Sequence, residues 1–138
     1  MNGFVSTLDD ARDAVESARL PRRQSQLHLI NIRQQIVRNY ADSEYSLVAL
    51  SESLQLSRRY VQRVLAMHHL TFTELLGQIR LAVAAELLVK MDARKRLSQL
   101  ATECGYKTQS SFNRAFKQHY QVTPRAYRSQ RLSEMRSA

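Results

Sequence analysis

Polar side chains with several hydrogen-bonding groups are concentrated in residues 104–117, which read CGYKTQSSFNRAFK. Phe112 and Phe116 are four residues apart, so they lie on one side of a helix and indicate its buried face. Lys107 lies beside the start of that helix. The opposite face carries polar and charged side chains: Gln109, Ser110, Asn113 and Lys117. Groups of these types form directional hydrogen bonds and charge pairs, which indicates recognition of a polar partner.

Residues able to perform catalysis or bind a metal are scattered along the chain. The four histidines are His28, His68, His69 and His119, and the adjacent pair points in different directions on a helix. The single cysteine, Cys104, occupies an apolar helical position, which favours a buried and unreactive thiol. The sequence contains no glycine-rich phosphate loop. We therefore expect no enzyme activity, no metal and no cofactor.

Two segments resemble each other, LVALSESLQLSRRYVQRVL at 47–65 and LSQLATECGYKTQSSFNRAF at 97–116. The aligned apolar positions are Leu47, Leu50 and Leu54 in the first and Leu97, Leu100 and Cys104 in the second. After an offset of one residue, Ser57 aligns with Thr108, and both are suitable helix caps. Each segment therefore predicts a short helix, a turn and a capped helix, which is the helix-turn-helix arrangement. Gly105 supplies the positive φ that such a turn needs.

The spacing of apolar residues predicts helices throughout and no sheet. We expect seven core helices, the first at about 24–40 and the longest at about 73–91, with Pro124 in the first turn of the last. Residues 1–23 are predicted to be an acidic helix or a linker segment, so an eighth helix ahead of the domain of residues 24–138 is an open alternative. The apolar positions of this segment are Leu8, Ala11, Val15 and Ala18.

Positive charge is the strongest signal in the composition, with a net charge of +9 and 21 Lys/Arg against 12 Asp/Glu. Residues 1–20 hold two of the basic and four of the acidic residues, so the excess lies in the rest of the chain. A small domain with this excess indicates a polyanionic partner, with nucleic acid ahead of an anionic membrane. Asn and Gln can pair with adenine, and Arg with guanine.

The sequence lacks a long apolar run and a secretion signal, so we expect a cytoplasmic protein without a membrane segment.

The stretch LSQLATECGYKTQSSFNRAFKQHYQVTPRAYR resembles the signature of the AraC/XylS family of bacterial transcription regulators. The matching positions are Ala101, Gly105-Tyr106, Ser111-Phe112, Arg114, Phe116-Lys117, Pro124, Tyr127 and Arg128. The resemblance implies an all-α bundle with two helix-turn-helix subdomains, at about 46–67 and 97–119, joined by a long linker helix at about 73–91. It also implies a sequence-specific DNA-binding regulator, expected to be an activator that contacts RNA polymerase.

The same resemblance implies which side chains meet DNA. The first reading set is Arg58, Arg59, Gln62 and Arg63, and the second is Gln109, Ser110, Asn113 and Arg114. The candidates for phosphate contact are Lys107, Lys117 and Arg128. Each reading helix is expected to enter one of two successive major grooves.

The first subdomain departs from the family pattern at its turn. Gln55 stands where the family often has glycine, and a left-handed Gln costs about 1 kcal/mol. We therefore expect a looser turn or a turn of another shape. The glycine often found before Phe72 is replaced by His68-His69-Leu70, and the loop is expected to be one residue short. A helical module that docks on RNA polymerase or another regulator without reading bases is the alternative function, and the oligomeric state stays open.

Overall fold

The computed structural model describes residues 22–137 of the chain. These residues form seven helices and no strand: α1 Arg22–Asn39, α2 Leu47–Leu54, α3 Arg58–Met67, α4 Phe72–Lys90, α5 Leu97–Glu103, α6 Gln109–Tyr120 and α7 Pro124–Ser137. The prediction of an all-α fold with seven helices is confirmed for this part of the chain. The first helix begins two residues earlier than expected, at Arg22. The acidic segment predicted for residues 1–23 otherwise lies outside the described residues.

The chain divides into two compact units. The described part of the first unit comprises residues 22–39 and 44–75, and that of the second comprises residues 40–43 and 76–137. The first unit thus contains α1, α2, α3 and the start of α4, and the second contains the rest of α4 with α5, α6 and α7. Each unit therefore holds one of the two helix pairs that the internal repeat predicts.

The core of the first unit is built by apolar side chains from each of its helices. Ile32 and Ile36 come from α1 and Leu50 from α2, and all three are fully buried. The buried side of α3 consists of Tyr60, Val61, Val64 and Leu65. Because α2 packs against both α1 and α3, the position of α3 is fixed on its apolar side.

The core of the second unit is more aromatic. Phe112 and Phe116 of α6 are fully buried, and Phe116 packs against Tyr120 and Tyr127 with ring centroids 4.6 and 5.4 Å apart. The buried partners from the other helices are Leu81, Ala84, Ala85, Leu88, Leu100, Ala101 and Cys104. Aromatic pairs at these distances add to the apolar burial, so the outward face of α6 is held firmly.

Side-chain caps define where most of the helices begin. The Ser46, Ser57 and Thr108 hydroxyl oxygens accept hydrogen bonds from the amides of Ala49, Tyr60 and Ser111 at 3.1–3.2 Å. The caps at Ser57 and Thr108 are those that the sequence predicts. Thr71 provides the cap of α4, because its Oγ1 atom accepts a hydrogen bond from the Glu74 amide at 3.1 Å. Buried Pro124 is the first residue of α7, where a missing N–H costs nothing.

Three non-glycine residues between positions 22 and 137 have a positive φ, and each follows a helix. They are Gln55 (φ 55°), His69 (φ 59°) and Gln121 (φ 64°). At the end of α3, the Leu70 amide donates to the Leu65 carbonyl at 3.0 Å, so His69 takes the left-handed position that glycine often fills. The loop before α4 therefore closes without a glycine.

Candidate nucleic-acid interface

The turn of the first unit has the left-handed geometry of a glycine turn although it contains none. Gln55 has φ 55° and ψ 38°, and the Leu56 amide donates to the Ser51 carbonyl at 3.0 Å. This bond closes a Schellman turn at the end of α2. The expectation of a looser or different turn is wrong. The cost of a left-handed Gln, about 1 kcal/mol, is outweighed by the hydrogen bonding and packing that the turn permits.

The turn of the second unit repeats that hydrogen-bond pattern with glycine at the matching position. Gly105 has φ 94°, and the Tyr106 amide donates to the Ala101 carbonyl at 3.0 Å. A Cβ atom added to Gly105 would collide with the Tyr40 carbonyl oxygen and would lie 2.7 Å from Arg80 Nε. Gly105 is therefore required by space as well as by backbone angle.

Arg80 completes the surroundings of this turn within the second unit. Its Nε donates to the Tyr40 carbonyl and its Nη2 to the Asp42 carbonyl, both at 2.9 Å. The guanidinium carbon lies 5.7 Å from the centre of the Tyr106 ring. Burial lowers the pKa of Arg80, opposed by nearby Tyr106 and Asp42, and burial raises the pKa of Tyr106. The guanidinium thus links residues 40–43 to the turn that positions α6.

The outward face of α3 brings together the four residues that the sequence predicts for base reading. Two turns of the helix expose polar and charged side chains on the side away from the core: Arg58, Arg59, Gln62 and Arg63. Because the buried side is fixed by the core, these side chains emerge from one rigid surface. Guanidinium and amide groups so placed can form paired hydrogen bonds with guanine and adenine edges.

The outward face of α6 brings together the second predicted set. Ser110, Arg114 and Lys117 are exposed, and Gln109 and Asn113 are half-buried. The Asn113 Oδ1 atom is buried and has no hydrogen-bond donor within the described residues. A buried acceptor without a donor is uncommon in folded proteins.

A cleft of about 450 Å³ lies on this side of the second unit. Four of the predicted residues, Gln109, Asn113, Arg114 and Lys117, line it together with Leu97, Thr123, Pro124 and Arg125. Sequence reasoning missed Arg125. The available signal was its position directly after Pro124, the first residue of α7, which places an exposed cation in the first turn of that helix.

A second cleft of about 520 Å³ in the same unit is rich in cations. Gln109 and Arg125 line both clefts, and Lys95, Arg96 and Arg128 are added here. Lys95 pairs with Glu103 at 2.5 Å. Four cations, Lys95, Arg96, Arg125 and Arg128, therefore line this cleft.

Arg128 differs from the other predicted site residues because its guanidinium is engaged inside the second unit. Nε donates to the Leu88 carbonyl and Nη2 to the Met91 carbonyl, both at 3.1 Å. The Leu88 oxygen lies in the last turn of α4, where carbonyls have no partner within the helix, and the Met91 oxygen lies directly after that helix. Arg128 is half-buried, and its guanidinium holds α7 to the end of α4. Lys107, the remaining predicted residue, is exposed and directly precedes the Thr108 cap.

The histidine, cysteine and carboxylate side chains of residues 22–137 are not grouped so that they could hold a metal ion. No three histidine, cysteine or carboxylate side chains converge in this range. Burial raises the pKa of the Cys104 thiol to about 11, so the thiolate is scarce at neutral pH. No helix in residues 22–137 is both long and apolar enough to span a bilayer.

The fold and the two matched polar helices define a DNA-binding domain with two helix-turn-helix units. Comparison with known proteins gives its family. Residues 50–130 match the model of a helix-turn-helix domain family of the AraC/XylS type, so the chain belongs to this family of transcription regulators.

Several relatives share this domain. The transcriptional activator RhrA of Rhizobium meliloti is 26% identical over 104 residues, which is 75% of this chain and 33% of RhrA. The transcriptional activator AggR of Escherichia coli is 24% identical over 128 residues, 90% of this chain and 45% of AggR. The chain thus spans less than half the length of these curated relatives.

Two solved structures have a similar fold. The carboxyl-terminal domain of the response regulator AraT from Geobacillus stearothermophilus is 33% identical, with a TM-score of 0.66 over 72% of this chain and 81% of that domain. An AraC-type DNA-binding domain protein from Chromobacterium violaceum is 24% identical and superposes with a TM-score of 0.69 over 79% of this chain and 96% of that one. The second match supports the fold alone.

Proposed function

We propose that this chain reads a specific sequence of double-stranded DNA and regulates transcription from the promoter that contains it. The observation that carries the proposal is the repeated turn. Two short helices end in the same left-handed turn, and each is followed by a capped helix with a polar outward face. In helix-turn-helix proteins the second helix of the pair lies in the major groove. The net charge of +9 favours the same partner, because phosphate contacts supply much of the affinity for DNA.

In the first unit, α3 is the proposed reading helix. Arginine can bind guanine O6 and N7 through two hydrogen bonds, and glutamine can bind adenine in the same way. The residues with these roles are Arg58, Arg59, Gln62 and Arg63. Ser57 caps the helix, so the amides of the first turn lie where phosphate oxygens are attracted.

In the second unit, α6 reads bases with Gln109, Ser110, Asn113 and Arg114. The buried Oδ1 of Asn113 lacks a donor within the described part of the chain. Once its side chain is rotated toward the groove, an asparagine can accept a hydrogen bond from the adenine amino group and donate one to adenine N7. This pairing gives Asn113 a preference for adenine.

Phosphate contacts position each unit and carry no sequence information. We propose Lys107 and Lys117 for this role and add Arg125, which is exposed and lines both clefts. We propose that Arg128 contacts phosphate through Nη1, because its Nε and Nη2 atoms donate to carbonyl oxygens of the protein. The two reading helices are proposed to enter successive major grooves, about one helical turn of DNA apart.

We propose that the chain acts as an activator in the bacterial cytoplasm and contacts RNA polymerase at the promoter. The names of RhrA and AggR, both described as transcriptional activators, support this role. The role is binding rather than catalysis, and it requires no metal or cofactor.

Selection of random duplex DNA with the purified chain tests the proposal. The expected result is enrichment of an asymmetric site with two informative blocks, about one helical turn apart. Affinity for that site should fall steeply with salt, with a slope of about −0.9 for each phosphate neutralised. Failure to enrich any sequence, with a chain that remains folded, would contradict base reading and favour a helical module that binds only proteins.

A further inference from the structure

The larger of the two clefts in the second unit, of about 520 Å³, has a strongly one-sided charge. We call it the cationic cleft. Lys95 and Arg96 enter it from the segment between α4 and α5, and Arg125 and Arg128 enter it from α7. The side chains that line it within the described part of the chain include no carboxylate. Cations from two separate elements thus surround one concave space, which differs from a basic helix face that points into solvent.

Neighbouring groups of the second unit compensate little of this charge. Lys95 pairs with Glu103 at 2.5 Å. Arg96 and Arg125 are exposed and form no ion pair within residues 22–137. The guanidinium of Arg128 is held by two carbonyl oxygens, which fix its position and leave its positive charge in place. Like charges around one cleft repel each other, so a bound anion would relieve that repulsion.

Uncharged hydrogen-bonding groups complete the lining. Ser98 of α5, Gln109 of α6 and Ser129 of α7 all border the cationic cleft, and the two serines are exposed. Guanidinium, ammonium and hydroxyl groups are the donors that phosphate oxygens accept most strongly. The volume of the cleft also falls in the range of roughly 300–1,000 Å³ that is typical of small-molecule sites.

We propose that the cationic cleft binds a small anion with at least two phosphate groups, of the class of pyrophosphate or a nucleoside diphosphate. Two phosphates suit a cleft whose cations enter from two elements. Gln109 and Arg125 line both this cleft and the cleft beside the outward face of α6. A bound anion would occupy these two residues, so anion and DNA should compete. The competition rests on the proposed function, whereas the binding of the anion does not.

Titration of the full chain with inorganic pyrophosphate, without DNA, tests the site. We expect saturable shifts of the Ser98 and Ser129 amide signals in NMR spectra. The Arg96→Gln variant should bind pyrophosphate about tenfold more weakly, because it loses one charge-assisted hydrogen bond. The matched control is Arg94→Gln, since exposed Arg94 does not line the cleft and the change in charge is the same. Its affinity should change by less than about twofold.

A second variant guards against a folding defect in the first. Ser129→Glu places a carboxylate at an exposed position of the cleft lining, and it should weaken pyrophosphate binding at least as much as Arg96→Gln. Circular dichroism shows whether each variant is folded.

Duplex binding in the presence of pyrophosphate tests the competition. Arg96 has no part in the proposed DNA contacts, so Arg96→Gln and Arg94→Gln should bind the selected duplex with equal affinity. Pyrophosphate should weaken duplex binding by the unaltered chain and by Arg94→Gln more than sodium chloride does at the same ionic strength. This additional loss should disappear in Arg96→Gln.

Two results would overturn the site. Equal effects of Arg96→Gln and Arg94→Gln on pyrophosphate binding, or shifts that do not saturate, would mean that the anion only screens the basic surface. Absence of pyrophosphate binding, together with weaker duplex binding by Arg96→Gln than by Arg94→Gln, would assign the cleft to the DNA backbone. Saturable binding without competition would support the site and contradict the shared use of Gln109 and Arg125. A chain that binds pyrophosphate and selects no duplex would support the site and contradict the proposed function.

Discussion

The two helix-turn-helix turns have the same hydrogen bonds and different residues at their left-handed position. In the first, the Leu56 amide bonds to the Ser51 carbonyl and Gln55 takes the positive φ. In the second, the Tyr106 amide bonds to the Ala101 carbonyl and Gly105 has the positive φ. The comparison separates two requirements that are often treated as one. The backbone angle tolerates a side chain at a modest cost, whereas contact with the Tyr40 carbonyl excludes one.

Replacing Gly105 with alanine should give the largest effect. The added Cβ collides with the Tyr40 carbonyl and approaches Arg80 Nε, so we expect a loss of about 3 kcal/mol in the free energy of unfolding. Urea denaturation followed by circular dichroism measures it.

The control for that variant is Gly77→Ala within α4, where an added Cβ has no atom within 4 Å. We expect this control to stabilise the chain by about 0.5–1 kcal/mol, because alanine is the better helix former. Equal effects of the two substitutions would show that close contact does not explain Gly105.

Removing one arginine from each reading helix compares the two units in DNA binding. Arg63→Ala and Arg114→Ala should each weaken binding to the selected site by about 1–3 kcal/mol and relax sequence preference in one half only. Titrations with duplexes substituted in one half at a time measure this. Arg136→Ala, an exposed residue of the last turn of α7, is the control with the same change in charge. Loss of preference in both halves from a single substitution would contradict independent reading.

Removing the caps compares how much each cap of the two proposed reading helices contributes to the free energy of unfolding. Ser57→Ala and Thr108→Ala each remove one acceptor for an amide of the first turn, and each should lower the free energy of unfolding by about 1 kcal/mol. Thermal and urea unfolding measure the loss. Replacement of Ser57 by Thr keeps the acceptor and should retain most of the stability.

Introducing glycine into the first turn should give the smallest effect. Gln55→Gly relieves the left-handed strain but increases the freedom of the unfolded chain, so a net gain of about 0.5 kcal/mol is expected. His69→Gly and Gln121→Gly repeat the test at two further helix ends with positive φ. A marked loss of stability in Gln55→Gly would show that the Gln side chain contributes contacts of its own.

The sequence was sufficient to predict features that depend on local chemistry. Ser57 and Thr108 cap their helices, and Pro124 begins α7, because capping and proline placement depend on neighbours within four residues. The turn at Gln55 was predicted wrongly. Backbone propensity gives the free-energy cost of a left-handed Gln, but it does not show whether hydrogen bonds and packing elsewhere in the fold outweigh that cost.

Features that depend on distant neighbours could not be predicted in this way. Arg128 binds carbonyls about 40 residues earlier in the chain, and Arg80 binds the carbonyls of Tyr40 and Asp42 across a similar separation. Arg125 joins the clefts beside α6 only because α7 folds next to that helix. Candidate site residues on a helix face can thus be read from periodicity, whereas those supplied by another helix require coordinates.

The attachment of residues 40–43 to Arg80 determines how this chain can be divided for experiments. Those four residues belong to the second unit although they lie in the sequence between helices of the first. A fragment that starts at Leu76 would lose the carbonyls that Arg80 binds, and a fragment that ends at Leu75 would keep residues 40–43 without their partner. Because neither fragment contains both sides of the Arg80 contact, we expect each to be less stable than the corresponding part of the whole chain.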